Sequence, residues 1–181
     1  MLKHKLRKKF IKVRRLKNNN LVRIPIFSFY NLIKKYNLNK KVIGGYYPIN
    51  YELDDLDLLN ELEKKKVTIS LPAISKNFNM NFYVWSFNNI LNINKYGIPE
   101  PEKNKLVYPD ILIVPMVAFD KRLYRLGYGG GFYDRYIEKI LKKKKPLLIG
   151  LAHSYQKIDR VPNNEYDRKL DLIITEKYIL R

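Results

Sequence analysis

The chain has 181 residues, 46% of them hydrophobic, which suits one domain with a real core. It contains no cysteine, which excludes disulfides, thiolate catalysis and cysteine-based metal sites. A formal net charge of +19 favours anionic partners, although runs such as Asn18–Asn20, Lys64–Lys66 and Lys142–Lys145 carry the stamp of an AT-rich coding composition.

The basic start, MLKHKLRKKF, is not followed by an apolar run of signal-peptide length. No stretch approaches the roughly 18 apolar residues of a membrane span. A soluble, cytoplasmic protein is expected.

Residues 2–17 read as a helix, with Leu2, Leu6, Phe10, Val13 and Leu16 at helical spacing and Asn18–Asn20 as its break. A second helix is expected over Ile26–Tyr36, after Pro25. Lys41–Tyr47 reads as a strand, followed by a turn at Pro48. The next helix covers about Asp54–Lys65, with Asp54 and Asp55 at its positive end. Val67–Leu71 is a strand stopped by Pro72, and Asn81–Phe87 alternates like another. Residues 88–109, with Gly97, Pro99, Pro101 and Pro109, read as irregular. Ile111–Val114 is a buried strand, Phe132–Lys144 a helix, and Leu147–Ala152 and Leu170–Thr175 the last strands. Strands alternating with helices predict an α/β fold: one domain over residues 1–181, with a mostly parallel sheet flanked by helices in Rossmann-like layers.

The chemistry concentrates where Gly127, Gly129, Gly130 and Gly131 fall between a buried strand and a helix. Glycine lets a ligand approach backbone amides closely, and amides at a helix start bind phosphate oxygens. Arg122 and Arg125 just before the cluster could clamp phosphate, and Asp134 in the first helical turn could hold Mg²⁺. The established phosphate motifs do not fit: there is no GxxxxGK[ST], and GxGxxG fails at Phe132. From residue types alone this is an anion or nucleotide loop.

The run from Pro109 to Tyr136, PDILIVPMVAFDKRLYRLGYGGGFYDRY, resembles the signature of the 5-formyltetrahydrofolate cyclo-ligase family, also called methenyltetrahydrofolate synthetases. Pro115, Ala118, Phe119, Asp120, Arg125, Gly127, Gly129, Gly131, Tyr133 and Asp134 occupy its fixed positions. The resemblance extends along the chain. It takes in Lys3 and Arg7, then Tyr47, Pro48 and Glu52, then Gly97, Ile98 and Pro101, and finally Gln156, Val161, Pro162, Asp167 and Asp171. Met116 and Tyr166 stand where Gly and His are frequent, which removes no group of chemical importance.

The resemblance implies ATP-dependent cyclisation of 5-formyltetrahydrofolate to 5,10-methenyltetrahydrofolate, with ADP and phosphate released through an iminium phosphate. Such an enzyme needs no protein nucleophile, in keeping with a chain that has no cysteine and only His4 and His153. By resemblance, Lys3, Arg7 and the loop Arg125, Leu126, Gly127, Tyr128, Gly129, Gly130, Gly131, Phe132 and Tyr133 would bind ATP, with Arg125 and Tyr133 closest to the chemistry. Tyr47, Glu52 and residues Tyr128–Phe132 would bind folate, and Asp134 and Asp167 would bind Mg²⁺. Asp120 and Asp171 are second choices as metal ligands or structural acids. On spacing alone, Lys3 and Arg7 are a solvated basic face, Asp167 a surface acid and Glu52 a helix-start acid. Trp85 and Tyr96 are stacking candidates that more often serve packing, and His153 reads as a satisfied structural residue. The partners expected are the folate, whose glutamate tails suit a basic rim, and ATP. No nucleic acid or membrane is expected, and the chain is expected to be monomeric.

Overall fold

Helix α1 (Leu2–Lys17) forms as its spacing predicts, but with a different inward stripe. Leu2 and Leu16 are exposed, while Phe10 and Arg14 are buried. The computed structural model describes residues 2–17, 26–34, 41–75 and 79–181. Pro25, the break at Asn18–Asn20 and the proposed end of the second helix at Tyr36 lie outside the described residues; α2 itself covers Ile26–Lys34.

The chain continues through β1 (Val42–Gly44), α3 (Leu56–Lys64), β2 (Thr68–Ile74) and β3 (Met80–Val84). Then come β4 (Leu91–Ile93), β5 (Pro99–Pro101), β6 (Leu106–Val107), β7 (Ile111–Pro115), β8 (Ala118–Phe119) and β9 (Arg125–Leu126). Helix α4 (Phe132–Leu141), β10 (Leu147–Leu151), β11 (Leu172–Ile174) and β12 (Ile179–Leu180) complete it.

Among the described residues the main sheet has the order β12-β11-β10-β7-β1-β2-β3-β6. Its centre, β11-β10-β7-β1-β2, is parallel, and β12, β3 and β6 add antiparallel margins. The central strands are near-continuous apolar runs because both faces are covered. Ile111 and Ile113 of β7 pack under α2 and α3, with Phe29, Ile33, Leu58, Leu59 and Leu62. Leu112 and Val114 turn the other way, onto Tyr136, Ile137 and Ile140 of α4. The result is a three-layer α/β fold of the predicted class.

Two expectations are corrected. Pro72 does not stop its strand. Ile69 and Ser75 bond towards the β3 side, through Trp85 N–H to the Ile69 carbonyl and Ser75 N–H to the Asn79 carbonyl. Ile74 N–H turns the other way, to the Glu100 carboxylate at 2.9 Å, and Pro72 shares its side. The missing proline donor therefore breaks no bond to β3. Residues 88–109 are also not all irregular. They contain the β4–β5 hairpin, turned at Gly97, and β6.

The topology fixes where a ligand can sit. From β1 the chain moves outward to β2 on one side, and it later returns to place β7, β10 and β11 on the other. The carboxyl ends of β1 and β7 thus flank a topological switch point, where the loops diverge and leave a crevice.

Candidate active site

Two loops meet at that crevice. One follows β1 and carries Tyr46 to Asp55; the other follows β7 through the β8–β9 hairpin into the glycine cluster. Helix α1 lies against the second loop with one face. Lys3, Arg7, Phe10 and Arg14 recur at spacings of four, three and four, which aligns them along one helical stripe. Phe10 is the anchor, packed with Val117, Ala118, Leu126 and Val161. The three cations then reach the loop side. Lys3 Nζ meets Asp167 at 2.8 Å, Arg7 Nε donates to the Gly127 carbonyl at 2.7 Å, and Arg14 Nη2 donates to the Tyr128 hydroxyl at 2.5 Å.

The glycines are needed at two points. Gly129 has φ +106, and a Cβ there would lie 3.1 Å from the Arg7 guanidinium carbon. Gly131 has φ +67 and is the N-cap of α4, so the loop enters the helix through a left-handed turn. Tyr128, Gly129 and Gly130 are exposed, presenting loop backbone at the start of a helix whose first N–H groups favour anions.

Asp134 and Asp167 belong to one neighbourhood. Asp134 Oδ1 accepts from Arg125 Nη2 at 2.7 Å and from the Arg168 amide at 3.1 Å, one residue beyond Asp167. Asp167 Oδ2 accepts from Lys3 and, at 2.7 Å, from the Asn164 amide. The described bonds of each carboxylate fall on one oxygen. These are hard donors of the kind Mg²⁺ takes. No cluster of three acids or histidines exists among the described residues, so the rest of a cation's shell would have to come from water and phosphate oxygens. The donor set fits a Mg²⁺ that keeps most of its shell outside the protein and does not amount to an all-protein cage.

Both arginines before the cluster are engaged by protein groups. Arg122 is tied to Asp120 through Nε at 3.0 Å and Nη2 at 2.7 Å, and also bonds the Val161 carbonyl. Arg125 is buried and spans Asp134 and the Arg168 carbonyl, at 2.7 and 2.8 Å. It holds the glycine loop to the segment carrying Asp167. Asp120 is fully buried and structural: burial raises its pKa, but the Val161 amide, the Arg122 guanidinium and neighbouring amides outweigh that and hold it low. Asp171 bonds the Leu148 amide at 2.7 Å, at the amino ends of the strands beside a concavity of about 510 Å³. It stands at the opposite sheet edge from the glycine loop.

The loop after β1 forms a different environment. Glu52 is buried, with Oε2 accepting the Ile49 amide at 2.9 Å and Oε1 without a partner. Burial pushes its pKa up to about 7, against the Ile49 amide, the Arg14 charge and the Tyr128 hydroxyl, which lower it. Asp55 is wholly buried. One oxygen takes the Tyr46 amide at 3.1 Å, the other is bare, and burial drives its pKa well up. The Tyr133 hydroxyl is also buried without a partner, its pKa raised by burial and by the charges of Glu52 and Asp55. Tyr133, expected among the phosphate ligands, buries its hydroxyl near Glu52 and Asp55. Tyr47 is half-buried on the same loop.

Among the remaining candidates, Trp85 is core, tilted against Phe87 at 4.6 Å. Tyr96 is half-exposed and meets Phe132 of the loop edge-on at 6.1 Å. His153 is satisfied in part: it stacks on Tyr155 at 5.0 Å and bonds the Tyr51 backbone, Nδ1 is buried without a partner, and burial lowers its pKa. Sequence reasoning missed Arg14 and Asp55. The signal for Arg14 was its place on the Lys3–Arg7–Phe10 stripe.

A glycine loop at a helix start and a cluster of buried acids, meeting at the switch point of a parallel sheet, have the form of an α/β enzyme site. A sequence profile of the 5-formyltetrahydrofolate cyclo-ligase family matches residues 3–176, and the chain belongs to that family. It is 37% identical over 135 residues to the 5-formyltetrahydrofolate cyclo-ligase of Mycoplasma genitalium, covering 74% of this chain and 72% of that one. The Escherichia coli K12 enzyme of the same name is 34% identical over 140 residues, covering 74% and 76%. The solved structure of Aquifex aeolicus 5,10-methenyltetrahydrofolate synthetase superposes with a TM-score of 0.80 at 34% identity, over 100% of this chain and 93% of that one. A 5,10-methenyltetrahydrofolate synthetase from Mycoplasma pneumoniae, at 24% identity and TM-score 0.70 over 97% and 99%, shares the fold. Among the described residues no helix is long and apolar enough to cross a membrane.

Proposed function

We propose that this chain cyclises 5-formyltetrahydrofolate to 5,10-methenyltetrahydrofolate with ATP, releasing ADP and phosphate. The observation that carries this reading is the position of Tyr128. It sits in the glycine loop and meets Arg14, and its hydroxyl also bears on Glu52 of the acidic pocket. A phosphate cradle and a pocket for an N–H-rich ring therefore adjoin, as a reaction joining ATP to a pterin requires.

The chemistry needs positioning more than a protein nucleophile. The formyl oxygen attacks the γ-phosphorus and ADP departs. N10 then adds to the activated carbon, the C–O bond breaks, and phosphate leaves with the N10 proton. Glycine-loop amides, Arg7 and Lys3 would hold the triphosphate, and Arg125 would fix the loop on which they act. Glu52, as carboxylate, would accept N–H bonds from the pterin, with Tyr47 and residues Tyr128–Phe132 packing along it. Asp134 and Asp167 would hold Mg²⁺, which would supply neutralisation of the triphosphate charge. The chain would act as a cytoplasmic monomer of one domain.

The test is spectroscopic. Purified protein with Mg²⁺-ATP and the correct stereoisomer of 5-formyltetrahydrofolate should generate the near-ultraviolet absorbance of the methenyl product, and none without ATP. No product with fully reduced substrate and ATP present would sink the proposal.

A further inference from the structure

Arg14 has no part in the mechanism above, yet it is the most unusual charge in the molecule. It is 1% exposed, and its one described hydrogen bond runs from Nη2 to the Tyr128 hydroxyl. Nε and Nη1 are buried and have no partner. A guanidinium carries five donors in a planar fork and is rarely left so bare in an interior. Glu52, whose carboxylate feels the Arg14 charge, leaves Oε1 equally bare. No salt bridge joins the two. Tyr128 joins the two: its hydroxyl takes Arg14 Nη2 and reaches the Ile49 carbonyl at 3.5 Å, and the Ile49 amide bonds Glu52.

Such a pair is complementary to a ligand edge that offers an acceptor beside a donor. The C=O/N–H edge of a lactam is that arrangement: the carbonyl takes the guanidinium and the ring N–H goes to the carboxylate. Two other oxygen-rich groups fit less well. Phosphate belongs further along α1, since Arg7 is seven residues from Arg14, or roughly 10 Å down the helix axis. A glutamate carboxylate offers acceptors only and would leave the Glu52 carboxylate facing a like charge.

We infer that Arg14 is a substrate-contacting specificity residue: Nε and Nη1 bond the ring carbonyl of the pyrimidinone whose N–H groups bond Glu52. This rests on the folate reading above. Arg14 thereby selects 4-oxo over 4-amino pterins, because an amino group would set a donor against the guanidinium donors.

The experiment compares two probes, a 4-oxo reduced folate and its 4-amino counterpart, binding to the unsubstituted protein and to Arg14→Met. Thermal melting monitors folding, and KM for ATP is the control. In the substituted protein the 4-oxo ligand should lose roughly 10–100-fold in affinity, the range for a charge-assisted hydrogen bond. The 4-amino ligand should lose less than about threefold or gain, with KM for ATP unchanged. Equal losses for both ligands would reduce Arg14 to a structural tie of α1, and no loss for either would remove it from the site. Each of those results overturns the inference while leaving the cyclo-ligase reading standing. If neither folate binds the unsubstituted protein, both readings fall. Should Arg14→Met not fold, Arg14→Lys decides by the same comparison: it keeps a charge but loses the two-nitrogen edge, so the preference for the 4-oxo ligand must shrink.

Discussion

Asp120 and Glu52 leave the same edge of the sheet, on the loops after β7 and β1, and both are buried. Their treatment is opposite. Asp120 receives the amides of Arg122, Tyr124 and Val161 and two nitrogens of the Arg122 guanidinium, and its pKa is held low. Glu52 receives one amide through one oxygen, and its pKa climbs to about 7. A buried carboxylate that is fully bonded closes a loop. One left half-bonded bears a desolvation cost that a ligand can relieve. The difference sorts the acids of this chain: Asp120 and Asp171 are structural, while Glu52 and Asp55 are each buried with one oxygen unpaired.

The largest effect that would sharpen this contrast is Asp120→Ala. It leaves three amides without their acceptor and a half-buried guanidinium short of its carboxylate, and should cost about 3–5 kcal/mol of stability in urea denaturation. A loss under about 1 kcal/mol would mean that the cluster is solvent-adjusted, and the contrast would collapse.

Glu52→Gln should move stability the other way. The folded-state pKa of Glu52 lies above its ordinary 4.5, so the folded chain holds this proton more tightly than the unfolded chain. The stability this confers is complete below about pH 4.5 and is lost as pH rises through about 7. Glutamine stays neutral, so the ligand-free variant should exceed the parent at pH 8 by at most about 3 kcal/mol, and the gain should vanish near pH 4.5. Folate turnover should fall at least tenfold at the same time, since a pterin N–H loses its charged acceptor. A variant that lost both stability and turnover would place Glu52 with Asp120.

Much of the fold could be read in advance, because apolar runs such as Ile111–Val114 and Leu147–Ala152 have few alternatives to a doubly covered strand. What failed was local. Pro72 looked like a stop because sequence does not reveal which way successive amides point, and here its missing donor faces away from β3. The glycine loop was visible because glycine spacing is a backbone requirement. Arg122 and Arg125 looked equivalent to it in sequence, yet their acid partners, Asp120 and Asp134, are chosen by the β8–β9 turn and the start of α4. Arg14 stayed hidden among the cations of α1 because charge alone does not separate a solvated face from a buried one. Only the alignment of residues 3, 7, 10 and 14, with Phe10 pinned to the core, does that.

The Lys3–Asp167 pair lies between the two classes of acid and gives the smallest predicted effect on stability. Its side chains are 32% and 21% exposed, and the contact joins α1 to the loop carrying a proposed metal ligand. An ion pair this open to solvent contributes about 0–1 kcal/mol. Lys3→Met should therefore shift Tm by no more than about 4 °C. If Lys3 exchanges Asp167 for a phosphate oxygen when ATP binds, the same substitution should raise KM for ATP about tenfold, and that increase should shrink as salt screens the parent enzyme's attraction. KM for folate should stay near the parent value, because Arg14 lies at the far end of the stripe and Glu52 is on the loop after β1. An unchanged KM for ATP with a clear loss of stability would move the pair into the company of Asp120, as a closure of the fold, and would leave Arg7 and the loop amides to hold the triphosphate without it.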